Sequence, residues 1–436
     1  MLDYQLGLSW RSLKRNPVLS LLSIGGIGLG IAVSMIFVTA YYYLAGDPIP
    51  QKSDRLFLVQ LDAWDPARPW DSDRPGEPPD QLTYMDAMAL MKSDVPTYKT
   101  AMHKADLTVH PARQDLKPFR QLTRLCFADF FPMFDVPFRY GAGWSREADL
   151  GPEAVVVLAA ETNQRLFGGE DSVGRSVRIE DRDFRVVGVL DAWRPLPKFY
   201  DTTNGPFDPA EGMFLPFHFG RVFEMYTAGN TSSWGSYDGG YAALLQSEAI
   251  WLQFWVQLDD DRQRESFEAW IAGYAAEQAK LGRFARPQNN KVRDVMTWLR
   301  VAEVAPEEAR ALMIIALLFL LVCSVNLIGI LLGKFLARAP EIGVRRALGA
   351  SRRQVFAQHL VECAVIGLCG AGLGLVLTPL GLALVDRLFD EQFDFRLDPI
   401  LFGVALALAL VSAFVAGVYP AWRVCRTQPA LYLKTQ

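Results

Sequence analysis

Five cysteines and four histidines in 436 residues are too few for a disulfide-stapled scaffold or a histidine-rich metal protein. A dominant charge is missing too: 44 Lys and Arg stand against 48 Asp and Glu, a formal net charge of −4, which removes any global reason to expect a nucleic-acid partner. Catalytic signatures are absent. No HExxH, GxSxG or CxxC occurs, so the spacings that build a zinc protease, a serine nucleophile elbow or a redox pair are not there. A Walker A loop is excluded as well. Gly333-Lys334 is followed by Phe335 instead of Ser or Thr, and position 328 is Ile, so no phosphate cradle can form.

Charged residues make up 21% of the chain, and they are segregated. Long apolar runs lie towards both ends, with a polar block that bears Pro and Trp between them. A bilayer core of about 30 Å needs roughly 20 apolar residues in helix. Four stretches satisfy this: Val18 to Leu44, Ala311 to Leu332, about Val355 to Leu384, and Ile400 to Tyr419. The first ends in Tyr41, Tyr42 and Tyr43, an aromatic cluster of the kind found at membrane interfaces. It has a basic start (Arg11, Lys14, Arg15), but its apolar run exceeds the ~7–15 residues of a signal-peptide core and reads as an uncleaved anchor.

Lys and Arg in the short flanks set the expected orientation. They gather before the first stretch, in the tail (Arg423, Arg426, Lys434), and between the second and third stretches (Lys334, Arg338, Arg345, Arg346, Arg352, Arg353). The connection between the third and fourth is acidic instead, with Asp386, Asp390, Glu391, Asp394 and Asp398. The expected order is therefore a cytoplasmic flank (1–17), membrane helix 1 (18–44), an outer domain (45–310), helix 2 (311–334), a cytoplasmic loop (335–354), helix 3 (355–385), an outer loop (386–399), helix 4 (400–419) and a cytoplasmic tail (420–436). The fold class is an α-helical membrane protein with one plus three helices and a large α/β domain inserted between helices 1 and 2.

Gly26 and Gly30, Gly329 and Gly333, and Gly370 and Gly374 are each spaced as GxxxG, which lets helix backbones approach closely. His359 and Glu362, near the cytoplasmic end of helix 3, read as side chains snorkelling to the interface. In the outer block, Leu56 to Leu61, Ala154 to Ala160 and Phe254 to Leu258 read as strands. Ser176–Ile179 and Phe184–Val189 read as a hairpin, and Thr83–Lys92 and Arg262–Leu281 as helices.

The cytoplasmic loop carries the most information. It runs Glu341-Ile342-Gly343-Val344-Arg345-Arg346-Ala347-Leu348-Gly349-Ala350-Ser351-Arg352-Arg353-Gln354-Val355. Ile342, Leu348 and Val355 recur among the arginines, so the segment can form short amphipathic helices around Gly349 that suit the groove of a soluble partner. This pattern resembles the loop of MacB/FtsX-type ABC transporter permeases. The stretches Phe127–Phe134, Val155–Leu158 through Leu166-Phe167-Gly168, Phe184–Val189, and Ala416–Arg423 with Pro429-Ala430 resemble other parts of that family.

The resemblance implies a permease subunit, not an enzyme, with no fused ATPase. A separate ABC ATPase would hold ATP and Mg²⁺, leaving no cofactor in this chain. Glu341, Ile342, Gly343, Arg345, Arg346, Leu348, Gly349, Ala350 and Ser351 would be the coupling residues. It also implies a dimer with an identical or sister chain, a periplasmic membrane-fusion protein as a further partner, and a place in the bacterial inner membrane. The outer domain would divide into a porter-like part (about 51–147 and 250–305) and a sabre-like insertion (about 148–249). The implied function is to carry ATP-driven motion to the periplasmic domain for export or efflux of a drug, peptide or lipid-like substrate. The alternative is an FtsX-like signal transducer that activates a periplasmic or cell-wall enzyme.

Overall fold

The computed structural model describes residues 14, 17–113, 115–151, 153–388 and 399–425. In chain order, helix α1 (Pro17–Ala45) leads into strands β1 (Leu56–Gln60) and β2 (Leu82–Thr83), then α2 (Tyr84–Leu90). Strands β3 (Tyr98–His110), β4 (Phe119–Cys126), β5 (Phe138–Gly141), β6 (Val155–Leu158), β7 (Ser176–Ile179), β8 (Arg182–Leu190), β9 (Met213–Pro216) and β10 (Ile250–Gln257) follow. After α3 (Asp261–Lys280) and β11 (Lys291–Asp294) come α4 (Glu307–Leu336), α5 (Ala339–Ala347), α6 (Arg352–Leu388) and α7 (Pro399–Cys425). The chain divides into two compact units, residues 46–304 and the helices on either side of them.

In the helical unit, α1, α4, α6 and α7 are long and apolar enough to cross a membrane. With 29 residues, α1 rises about 44 Å, and the 37-residue α6 about 55 Å, both beyond a hydrocarbon core of about 30 Å. Ile27, Ile31 and Met35 of α1 are fully buried, with Leu320, Leu327 and Leu331 of α4 and Ile366 of α6 in the same core. Lipid gives helices no hydrophobic reason to associate, so close backbone approach and hydrogen bonds must do it. The Ser34 hydroxyl of α1 donates to the Ala316 carbonyl of α4 at 2.8 Å. Along α7, Leu401, Ala405, Ala409, Ala413 and Ala416 form a buried small-residue stripe.

The inserted domain is built on an 11-stranded sheet in the order β11-β1-β10-β3-β4-β9-β6-β8-β5, with β2 beside β10 and β7 joining β3 to β8. Pairing is antiparallel except for β4 with β9 and β6 with β8. Every residue of β10 is buried, as expected of a strand covered on both faces. Its Phe254 and Val256 pack with Phe267, Ile271 and Ala275 of α3, while Trp255 joins Phe130, Phe134, Phe199 and Tyr200 in a separate core. Asp260 caps α3 by accepting from the Gln263 amide at 2.7 Å, and Thr83 caps α2 by accepting from the Asp86 amide at 3.1 Å. A third core under β6–β9 holds Val156, Leu158, Phe184, Val186 and Phe219.

Strands β6–β9, within residues 148–249, are part of this one sheet. They continue the sheet of the flanking parts through the 13-residue β3 and its hairpin partner β4. Strand β5, placed by sequence in the porter-like part, pairs with β8 at the far edge. Eight residues of β3 and β4 are in register from Met102↔Cys126 to Val109↔Phe119, long enough for one hairpin to serve both halves.

Candidate coupling segment and the network behind it

Between α4 and α6 the chain makes a helix, a glycine turn and a new helix start. Pro340 lies in the first turn of α5, where its missing N–H costs no helix bond, and Glu341 beside it suits the positive helix end. After α5, Gly349 has φ of +103°, a backbone conformation that side chains disfavour. Ser351 then opens α6 with a reciprocal box. Its amide donates to Gln354 Oε1 at 3.0 Å, and the Gln354 amide donates to Ser351 Oγ at 3.2 Å.

Ile342 is half-buried against the helical core and Gly343 is buried, so this face of α5 is committed inward. Leu348 is 84% exposed and Val344 49%, an outward apolar pair at the tip of the segment. Glu341, Gly349 and Ser351 are exposed and Ala350 half-buried. The side chains of Arg345 and Arg346 lie outside the described residues, as do the terminal flank before Lys14, the outer loop from 389 to 398, and Pro429-Ala430.

The sequence reading of His359 and Glu362 needs correction. They do not snorkel: they are 4% and 3% exposed. Lys334 at the end of α4, itself 2% exposed, places Nζ 2.7 Å from Glu362 Oε1. Arg338 Nη1 and His359 Nδ1 each lie 3.8 Å from the same carboxylate, and the His359 ring sits 4.2 Å from that of Phe335. Burial of a carboxylate is tolerable here because cations from a neighbouring helix surround it.

The glycines divide into two groups. An added Cβ at Gly370 would lie 2.6 Å from Ile27 Cγ2, at Gly374 2.8 Å from Ile31 Cγ2 and 3.2 Å from the Gly28 carbonyl, and at Gly30 3.0 Å from Leu320 Cδ1. These three lie in helix contacts. At Gly26, Gly329 and Gly333 nothing among the described residues comes within 4 Å. Sequence reasoning missed Gly28, Gly367, Gly381 and Gly417, which meet Leu373, Ala413, Ile36 and Cys363 at 2.8, 2.3, 2.3 and 2.5 Å. Only Gly367 and Gly417 meet small residues, Ala413 and Cys363; Gly28 and Gly381 meet Leu373 and Ile36, which no sequence spacing marks.

In the inserted domain a deeply buried polar arrangement centres on Arg124 of β4, which is fully buried. Its Nη2 takes both Asp201, at 2.5 Å, and Glu211, while the Tyr200 hydroxyl donates to Glu211 Oε2 at 2.9 Å. Lys198 Nζ lies 3.6 Å from Glu211, and the Gln253 amide donates to Asp201 at 2.8 Å. Desolvation works to raise the Glu211 pKa, but the Arg124 and Lys198 charges outweigh it and hold the carboxyl down at about 2. Burial, with Arg124 second, pushes His103 down to about 3, so it stays neutral beside Trp251.

An open cavity of about 660 Å³ is lined by Tyr98, Phe131, Phe138 and Trp144, with Asp129 and Arg146 at its polar side. Arg146 donates to both Asp129 oxygens, at 2.6 and 2.9 Å. The described residues contain no cluster of three His, Cys, Asp or Glu able to hold a metal ion. A turn with an exposed apolar tip joins the long helices α4 and α6, and a separate compact domain is inserted between α1 and α4.

Comparison with known proteins gives the same picture. A model described as the MacB-like periplasmic core domain matches residues 20–274, more than half the chain, and one described as the FtsX-like permease C-terminal matches 313–429. The macrolide export ATP-binding/permease protein MacB of Escherichia coli K12 is 23% identical over 431 residues, covering 97% of this chain and 59% of the relative. The Shigella sonnei protein of the same name gives the same figures. The chain thus spans about three-fifths of the length of these curated relatives. The crystal structure of the periplasmic region of MacB from Actinobacillus actinomycetemcomitans aligns with a TM-score of 0.37 and 13% identity, over 60% of this chain and 97% of that one. With membrane helices arranged one plus three, an α/β domain between the first two, and family models matching both parts, the chain belongs to the MacB/FtsX family of ABC transporter permeases.

Proposed function

We propose that this chain carries ATP-driven motion across the bacterial inner membrane to its inserted domain, for export or efflux of a substrate handled outside the bilayer. A separate ABC ATPase binds the segment from Glu341 to Ser351, and a second permease chain completes the transporter. The termini and this segment face the cytoplasm, and the inserted domain faces the periplasm.

The observation that carries this reading is the exposed tip of the segment. A leucine 84% exposed at the end of a rigidly capped turn has no partner role within the helical unit among the described residues, and its exposure suits insertion into a groove. Charge-assisted contacts from Arg345 and Arg346 would flank it, and Gly349 lets the turn form where backbones come close. The bundle supports the same view. Its core is mostly apolar, and among the described residues the buried charges gather at one end, at Lys334 and Glu362, with no chain of charges running along the bundle to conduct a polar substrate.

The test uses Glu341→Lys and Gly349→Trp in the full chain, co-expressed with its ATPase. Both variants are expected to insert and dimerise normally while transport falls about tenfold or more, the scale of losing about 1.4 kcal/mol or more of contact energy. Full activity in both would reduce the segment to a topology signal.

A further inference from the structure

The Lys334–Glu362 pair brackets the coupling segment. Lys334 is four residues before Arg338 and five before the start of α5, and Glu362 lies in the third turn of α6, so the intervening chain closes on itself at this contact. The backbone is continuous across the near side. The Ala337 amide donates to Gly333 O at 3.1 Å, Arg338 to Phe335 O at 3.1 Å, and Ile342 to Arg338 O at 3.1 Å. On the far side, Cys363 packs against Gly417 of α7 so closely that an added Cβ would meet Sγ at 2.5 Å, which leaves α6 little room to rotate beside Glu362.

Both side chains are almost fully buried, at 1% and 3% exposure. A buried pair of this kind adds little net stability over a well-packed apolar pair, but separating its members leaves an uncompensated charge, which is costly. Each of α4 and α6 packs mainly on α1 and α7, so this pair is a direct tie between two helices that otherwise pack little on each other, and shifting one along the other here would break it. An apolar pair would tolerate such sliding, because dispersion contacts have no single register.

We propose that Lys334 and Glu362 are positioning residues: their ion pair fixes the register of α4 against α6 and makes residues 337–351 move as one body with both helices. Arg338 and His359, each 3.8 Å from Glu362, lie beside the same carboxylate. The inference rests on the reading that this segment receives the ATPase, because only then does its rigidity matter to function.

The experiment needs no ATPase, so its outcome is independent of that reading. The full chain is purified in nanodiscs as wild type, Lys334→Met, Lys334→Arg, Glu362→Met and the double Lys334→Met/Glu362→Met. Thermal unfolding and amide hydrogen exchange of peptides covering 337–351 are measured for each. The single methionine variants should unfold at lower temperature and exchange faster. The double variant should regain most of the lost stability yet still exchange at least about tenfold faster than wild type in the segment. Lys334→Arg, which keeps the charge, should exchange close to the wild-type rate. Wild-type exchange in the double variant would overturn the proposal, because packing alone would then set the register. So would Lys334→Arg exchanging as fast as Lys334→Met. In a second preparation with the ATPase added, unchanged ATPase stimulation in all variants would count against the coupling reading, not the clamp.

Discussion

Glu211 carries its charge where water does not reach, and it does so because Arg124 and Lys198 are there with it. Its carboxyl is held at about 2, below the ordinary value of 4.5, so it binds protons less readily folded than unfolded. The sign follows directly: its contribution to stability is complete above about pH 4.5 and is lost as pH falls towards 2. Glu211→Gln should destabilise the protein at pH 7 by about 3–5 kcal/mol, because Arg124 then keeps only Asp201 as a charged partner in a dry site. The acid limb of stability between pH 4.5 and 2 should flatten in the same variant. Thermal unfolding of the full chain across pH checks both, and an unchanged acid limb would contradict the assignment. Asp149 works in the opposite sense. Burial, against hydrogen bonds from the Ala128 amide and Trp144, raises it to about 6, so its ionisation counts against the fold as pH rises from about 4 through 6.

At the scale of helices, the glycines separate packing from mere frequency. Gly374 faces backbone, the Gly28 carbonyl at 3.2 Å, as well as Ile31, and backbone cannot yield as a side chain can. Gly374→Leu should therefore cost about 1–3 kcal/mol or more by overpacking. Gly329→Leu, which meets nothing within 4 Å among the described residues, should leave the stability of the monomer within about 0.5 kcal/mol. Unfolding in detergent at low protein concentration compares the two, and equal losses would mean that the α1–α6 seam is not as described. Much at this scale was legible in the sequence. The four membrane helices follow from length and charge, since nothing else in a protein needs such runs, and the turn around Gly349 follows from its amphipathic spacing. The ion pair was not legible. A charge near a helix end looks the same whether it snorkels or pairs, and Lys334 and Glu362 are 28 residues apart with a turn between them. The placement of β5 was equally hidden, because a four-residue strand is assigned by its partner, and β8 lies some 40 residues on. The alanine stripe of α7 carries no motif, only a spacing that becomes informative once Gly367 is seen against Ala413.

At the scale of the molecule, the chain is two separate compact units joined at residues 45–46 and 304–305. Each has its own core, and the connections run from α1 into the inserted domain and from that domain into α4. In the proposed function a shift of α1 against α4 is passed to the domain between them, as packed helices with two discrete arrangements can transmit a signal. The measurement that tests this most directly is cross-linking between the two permease chains of the transporter proposed above. Single cysteines are placed at Leu44 or Pro306, the two ends of the helices that flank the inserted domain, in a background lacking the five native cysteines. Nucleotide binding to the ATPase should bring the outer domains together, so cross-linking rates should differ clearly between the nucleotide-free and ATP-bound states. Identical rates in both states, with substrate labelling residues inside the helical bundle, would contradict the account and point to a translocation channel instead.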